Sequence, residues 1–490
     1  MSSWSRRARW SAQRRARSSG SSSRPTITTR WTADPARPAG RLIRHDPEGT
    51  SGTRVEGSAR HATERPGHLS PGSAAPLLSG PVADLADAEP EPPERAAFRA
   101  EARAWLADNA EPLAEADPWA LSGYPDEEDA RAHFEAGRAW QQTLAAHGWA
   151  CLTWPAEYGG RGMEPWAEQV FREESAGFGS STGFIASTIA MLGPTLLAFG
   201  SDEQKARFLP GLISGEVTWC QLFSEPGAGS DLAGLATRAV RDGDEFVVTG
   251  QKVWNSCAQF SDWAFLLART DPDRPKHRGI SFFLVDMSSP GIEVRPLVQA
   301  NGSAHFNEVF LENVRIPEDQ VVGEVDGGWA VTRTVMANEA AFIGRGGSTA
   351  SDRLRELAGM HGWLDDPVVR QRLATVVSRE RLQNLMGQRI QGAVRDGRRP
   401  PFDPALSKIF AAVTKALTGD LAADLAGPAG MVGSDPVSLW VQAEVINRFN
   451  VSIGGGTTEV QKNNLAERSL GLPREPGIDR DLPWKDVPRT

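Results

Sequence analysis

The chain has little cysteine and no long apolar run, and both absences narrow what it can be. Only Cys151, Cys220 and Cys257 occur among its 490 residues. An odd count without Cys-x-x-Cys spacing supports neither a disulfide framework nor a zinc site, and it suits a reducing cytoplasm. No stretch approaches the roughly twenty apolar residues that span a bilayer, and the start lacks the apolar core of a secretory signal. Neither a membrane span nor export is expected. Positive charge is also short, because 53 Lys and Arg face 62 Asp and Glu and leave a formal charge of −9. Phosphate backbones require clustered positive charge on a folded surface, so a nucleic-acid partner is not expected. The eight histidines are scattered without metal-ligand spacing, no metal site is expected, and no nucleophile elbow is present, which disfavours a hydrolase.

What is present is a long chain with an ordinary apolar fraction, enough for about three domains. Residues 1–90 are rich in Ser, Arg, Pro and Gly, lack lysine and show no sustained apolar period, which is the composition of a disordered basic extension. Order is expected from Pro93, where Phe98, Ala102, Trp105 and Leu106 recur at helical spacing. Ser201 followed by Gln204 reads as a capping box that opens another helix, and Thr458 with Gln461 as a second one near the C-terminus. Past Gly215 the period changes to two, in Glu245 to Trp254, Trp263 to Ala268, Gly279 to Val285, Gly291 to Leu297 and Phe306 to Leu311. With no helices between them, these strands predict an antiparallel, barrel-like sheet and not a doubly wound nucleotide fold. Helical periodicity returns at Gly328, through Val331 to Ile343, Asp366 to Ala393, Pro404 to Leu425 and Pro436 to Asn450. The expected fold class is thus multidomain α and β: a helical domain over 91–218, a central β domain over 219–327, a helical bundle over 328–475 and a tail over 476–490.

One run stands out, FSEPGAGSD from Phe223 to Asp231. Its glycines let backbone N–H groups approach a ligand closely, yet it is neither a Walker loop nor Gly-x-Gly-x-x-Gly, and by pattern alone a plain turn is as good a reading. The longer segment WCQLFSEPGAGSDLAGLATRAV, Trp219 to Val240, resembles the flavin-binding signature of the acyl-CoA dehydrogenase family. GQKVWNS, Gly250 to Ser256, resembles the second flavin segment, and HFNEVFLENVRIP, His305 to Pro317, the closing strands of the β domain. WPAEYGGRG, Trp154 to Gly162, and GSDEQK, Gly200 to Lys205, resemble the N-terminal domain, while GGTTEVQKNNLAERSLGLP, Gly455 to Pro473, resembles the last helix.

The resemblance implies FAD as cofactor, an acyl-CoA thioester as substrate and lipid metabolism, notably fatty acid β-oxidation, as the setting. It places the hydroxyls of Ser224 and Ser256 beside the isoalloxazine, Trp254 at its flank, and Phe223, Gly229, Ser230, Asn255, Gly456, Thr457 and Glu459 among the cofactor-binding residues. Ser230 and Asn338 would also touch substrate. In the implied reaction a carboxylate removes the Cα proton while flavin N5 accepts hydride from Cβ, giving a 2-enoyl-CoA. Electrons would then pass to an electron-transfer flavoprotein.

The family carries its carboxylate at one of two positions. The one before the Gly-Thr of the last helix is Gly455 here, which cannot act as a base. The other matches Glu339 in Met336-Ala337-Asn338-Glu339-Ala340. Val331, Val335, Phe342 and Ile343 define an apolar stripe, and Glu339 stands four residues from Val335 and from Ile343, so its carboxylate is expected to face inward. An inward acid costs free energy unless paired or functional. On the helix alone, a Glu that reaches solvent or pairs with Arg333 or Arg345 is an equal reading. Ala340 replaces the arginine that usually follows this glutamate, MHGWLDDP (Met360 to Pro367) stands where the family has Arg-x-x-Phe-Gly, and DLAGPAG (Asp424 to Gly430) where it has Gln-x-x-Gly-Gly-x-Gly. These departures keep open a homodimer, a homotetramer or a heterotetramer with a related subunit. They also leave two alternative functions, a noncatalytic subunit and an oxygen-using acyl-CoA oxidase or flavin monooxygenase.

Overall fold

The first helix begins where the sequence predicts it, and it is held by the apolar spacing that predicts it. In this computed structural model, which describes residues 91–113, 119, 126–343, 350–395, 398, 404–474, 476–477 and 479–488, α1 spans Pro93–Asn109 and buries Phe98, Ala102 and Leu106. The expected N-terminal extension, residues 1–90, lies outside the described residues. Helices α2 (Glu127–Ala146), α3 (Pro165–Ser175), α4 (Gly183–Phe199) and α5 (Asp202–Ser214) follow. Asp126 caps α2 by accepting from the Asp129 N–H. The capping box at α5 is present, with Ser201 and Gln204 each accepting from the other's backbone N–H. Gln204 also donates to the carbonyls of Asp319 and Val321 at 2.7 and 2.8 Å, which ties α5 to the end of the β region.

Helix α4 is apolar on nearly every side and is accordingly buried among its neighbours. A Cβ added at Gly193 would stand 2.0 Å from the Trp154 ring, so glycine is what lets the WPAEYGGRG segment close on this helix. Strands β1 (Trp219–Leu222), β2 (Arg238–Asp242), β3 (Glu245–Ser256), β4 (Trp263–Arg269), β5 (Ile280–Asp286), β6 (Ile292–Leu297) and β7 (Phe306–Pro317) make one sheet in the order β1-β4-β2-β3-β7-β6, with β5 on the other side of β4. Most pairs are antiparallel, as the connections require, but β1 runs parallel to β4, with Trp219 opposite Trp263. The strict antiparallel expectation missed this because β1 and β2 are short and lie inside the glycine-rich signature, where alternation is brief.

The C-terminal helices are α6 (Gly328–Ile343), α7 (Ala350–Met360), α8 (Pro367–Arg395), α9 (Pro404–Val432), α10 (Pro436–Asn447), α11 (Asn450–Ile453) and α12 (Thr458–Asn464). Gly427, at φ 61°, ψ −164°, breaks α9 two residues past the predicted end at Leu425. One hydrophobic core joins the N-terminal helices to one face of the sheet and includes Val331 and Val335 of α6. A second core lies on the other face of the sheet, and a third, around Leu357, Leu421 and Trp440, holds the C-terminal helices. Helix α6 enters directly against the sheet: a Cβ at Gly328 would sit 2.6 Å from the backbone of Ser281 and Phe282. That contact fixes where the rest of α6, with Glu339 on it, can point. Among the described residues no helix is long and apolar enough to cross a membrane.

Candidate active site

The ligand loop and the strand that faces it are fastened by a buried ion pair that sequence reasoning did not single out. Lys252 of β3 is fully buried and donates to the Phe223 carbonyl and to Glu225 Oε1, both at 2.9 Å. Glu225 also accepts the N–H groups of Ala236 at 2.6 Å and Thr237 at 2.8 Å. Burial alone would raise this carboxyl, but the Lys252 charge and the N–H donors outweigh it and hold Glu225 below the usual carboxylate range. The signal was available in the Glu of FSEPG and the Lys of GQKVW, since a strand lysine between apolar neighbours has to find a partner if it faces inward.

With the loop pinned, the Val253 N–H donates to the Ser224 carbonyl at 2.9 Å. A register shift between Val253 and Asn255 leaves Trp254 as an extra residue at φ 64°, and its indole is 61% exposed. Bulges re-aim side chains in this way, so Trp254 is a presented surface and not a packed core aromatic. The half-buried Ser224 and Ser256 hydroxyls make no hydrogen bond to another described residue. Gly227 and Gly229 have open space where a Cβ would stand, and Gly229 and Ser230 are exposed. A flat polar ring system fits this arrangement of free donors, exposed indole and accessible backbone.

Three other residues expected at the cofactor are engaged elsewhere. The Phe223 ring packs edge-on against Phe265 and Phe282 in the core, so only its backbone belongs to the loop. Asn255 is buried and donates to the Gln221 carbonyl at 2.7 Å. Glu459 is exposed and stands 4.0 Å from Lys462. Thr457, not Thr458, caps α12, accepting from the Val460 N–H at 3.2 Å.

Glu339 lies on the side of α6 that the apolar stripe marks: Val331 and Val335 are buried, and the side chain of Ile343 falls outside the described residues, as does Arg345. Burial raises the Glu339 carboxyl above its usual range, and the charge that opposes this is that of Lys408. Lys408 sits on α9, is 3% exposed and donates to the Gly456 carbonyl. Burial pushes its amino group down while Glu339 pulls it back up. Among the described residues the cation beside Glu339 is thus Lys408 and not Arg333, and nothing in the local sequence of α6 points to a residue 69 positions on. Beside Glu339, the Asn338 Nδ2 is buried with no hydrogen-bond partner, a donor free for a ligand. Gly455 and Gly456 precede α12 at φ 64° and 86°. A glutamate at 455 would be strained on this backbone, so the second family position is closed by conformation as well as by residue type.

Known proteins match this chain along most of its length. The acyl-CoA dehydrogenase N-terminal, middle and C-terminal domain descriptions match residues 92–216, 220–314 and 327–470. The chain belongs to the acyl-CoA dehydrogenase family and has its three-part architecture; it is an oxidoreductase of the flavin class, with FAD as cofactor. Acyl-CoA dehydrogenase IpdE1 of Mycobacterium tuberculosis is 40% identical over 384 residues, covering 77% of this chain and 98% of the relative. Among solved structures, the Tcur3481-Tcur3483 steroid ACAD is 29% identical with TM-score 0.62, covering 79% of this chain and 99% of that one. The ChsE4-ChsE5 complex from Mycobacterium tuberculosis is also 29% identical, with TM-score 0.61 and 79% and 100% covered.

Proposed function

We propose that the chain catalyses FAD-dependent α,β-dehydrogenation of an acyl-CoA thioester to a 2-enoyl-CoA, with Glu339 as the base and flavin N5 as hydride acceptor. The observation that carries this reading is a half-buried glutamate on the apolar side of α6, facing Lys408 and beside the free Asn338 amide, whose carboxyl is held above its usual range by its loss of solvent. A base in that state has the stronger proton affinity that the weakly acidic Cα–H demands. When bound, FAD supplies the two-electron acceptor. Ser224 and Ser256 offer unengaged hydroxyl donors to its ring, Trp254 offers an indole flank, and the Gly227–Ser230 backbone offers close approach. Asn338 offers its free amide N–H to the thioester side of the site, and Lys408 balances the carboxylate once Glu339 has lost its proton.

The partner reading rests on a different observation. Leu382 and Leu385 of α8, Leu417 of α9, Ile446 of α10, Phe449 and Ile453 are large apolar side chains left exposed on the C-terminal helices. Apolar surface on this scale marks a subunit interface, and both solved relatives named above carry two subunit names in their titles. A heteromer with a related subunit is favoured over a homo-oligomer by those titles and by Ala340. An electron-transfer flavoprotein is the proposed acceptor and the cytoplasm the proposed location. A half-buried glutamate on the apolar side of α6 speaks against a noncatalytic subunit.

The test is anaerobic titration of the purified protein with a panel of acyl-CoA esters, following loss of flavin absorbance. Because one solved relative is titled a steroid ACAD, the panel begins with a steroid-derived thioester and continues through branched short and long chains. Bleaching by one of them, abolished in Glu339→Gln with flavin still bound, is the expected result. A colourless protein, or bleaching that survives Glu339→Gln, overturns it.

A further inference from the structure

We propose that the C-terminal segment 479–487 is a positioning element of the site, a clasp that holds loop 271–278 as a bridge between the ligand loop and the head of α6. This deepens the dehydrogenase reading and rests on it. The family match ends at residue 470, so the clasp lies beyond the part of the chain shared with the family description.

The loop needs outside support. It carries Pro272 and Pro275 and four charged side chains between Asp271 and Lys276, and it forms neither helix nor strand. Such a segment has few apolar contacts of its own and opens at low cost unless it is tied down. The clasp supplies the ties. The Trp484 N–H donates to the Arg274 carbonyl at 2.8 Å and the Lys485 N–H to the Pro272 carbonyl at 3.0 Å, while Pro483 bridges to Pro275. Lys485 pairs with Asp273 at 2.5 Å.

From the loop the ties run in two directions. Lys276 stands between two carboxylates, 2.7 Å from Asp479 in the clasp and 3.0 Å from Asp231, the last residue of FSEPGAGSD. Arg269 is 2% exposed, donates to the Ala233 carbonyl at 2.6 Å and to the Lys276 carbonyl at 2.8 Å, and lies 4.7 Å from the centre of the Trp484 ring. Trp484 Nε1 donates in turn to the Gly234 carbonyl at 3.2 Å. One indole therefore covers the arginine that joins turn 233–235 to the loop and bonds to that turn itself. On the other side, the His277 ring meets Trp329, the second residue of α6, edge-on at 4.9 Å. Thr270, where the loop begins, donates to Asp326 at 2.5 Å, two residues before α6. Displacing the clasp would loosen both the end of the ligand loop and the head of the helix that carries Asn338 and Glu339.

The test uses the full chain with Trp484→Ala, Trp484→Phe, Asp479→Asn and Lys276→Met, the last two also combined, and a chain ending at residue 477. Hydrogen exchange of residues 231–235 and 271–278 is read beside separate kcat and KM values for the thioester that bleaches the flavin. The expected result for Trp484→Ala is exchange faster by about tenfold or more at both segments and KM raised about tenfold, with kcat within about twofold. Trp484→Phe, which keeps a ring over Arg269, restores KM. Adding Asp479→Asn to Lys276→Met changes nothing further, because the two act through one contact. Unchanged exchange in all variants, or an apparent kcat that falls with the folded fraction while KM stays at the parent value, overturns the proposal. If the shortened chain does not fold, the point variants decide. Should no thioester bleach the wild type, the dehydrogenase reading fails, while the exchange rates still decide the clasp.

Discussion

Lys252→Met removes the one cation within hydrogen-bond reach of Glu225 among the described residues and tests how much of the ligand loop depends on the pair. Lys252 is completely buried and Glu225 is 9% exposed, so neither charge can turn to water when its partner is lost. In the variant Glu225 keeps two backbone N–H donors but loses its counter-charge, and the Phe223 carbonyl loses the Lys252 donor. Breaking a buried pair from one side costs about 3–5 kcal/mol. Glu225→Gln, which strands the ammonium instead, falls in the same range. The double variant Glu225→Gln/Lys252→Met strands no charge and should lie within about 2 kcal/mol of the parent, a coupling of about 4 kcal/mol or more. Urea unfolding followed by tryptophan fluorescence measures all four proteins. The pH dependence has a definite sign. Because the folded Glu225 carboxyl is held below its unfolded value, it contributes stability above the unfolded pKa that is lost as pH falls through the folded one. The acid limb of the parent should therefore be steeper than that of the double variant. Single costs that add to the double within about 0.5 kcal/mol would refute the reasoning.

Three further outcomes follow from the site and the core. The bleaching rate should rise with pH through a Glu339 value above the usual carboxylate range, since only the ionised form accepts a proton; a rate already flat at the ordinary glutamate value removes the base from this position. Glu339→Gln should raise the thermal midpoint above neutral pH and leave it unchanged in acid, because a carboxyl with a raised folded pKa loses stability as pH climbs from its unfolded to its folded value; calorimetry at two pH values decides. Gly193→Ala should lower the midpoint by several degrees, corresponding to about 1–3 kcal/mol of overpacking against Trp154, and a neutral result would show that the indole can move aside.

Much of the fold was legible because apolar period tracks burial closely in long elements. The stripe from Phe98 to Leu106 and the alternation from Glu245 onward each gave the right element with ends displaced by a few residues. Elements of four or five residues, such as β1 and β2, are too short to show a period, and the parallel β1–β4 pairing depends on a crossover that local sequence does not encode. At the site, FSEPGAGSD, GQKVWNS and the stripe around Glu339 were readable in advance. The cap at Thr457 was misplaced by one residue because two threonines stand side by side and either can accept from an N–H three residues on. Lys408 escaped because its relation to Glu339 is set by the packing of α9 against α6, and Lys252 because a charged strand residue reads as solvent-facing until the strand is seen to be covered.

Helix α6 begins inside the core that unites the N-terminal helices with the sheet, and by Glu339 it has reached the neighbourhood of α9 and Gly456, whose helices are built around a core of their own. Glu339 thus stands on the seam between two hydrophobic cores. A molecule seated there would touch both cores at once, so binding it should raise the melting temperature of the whole chain.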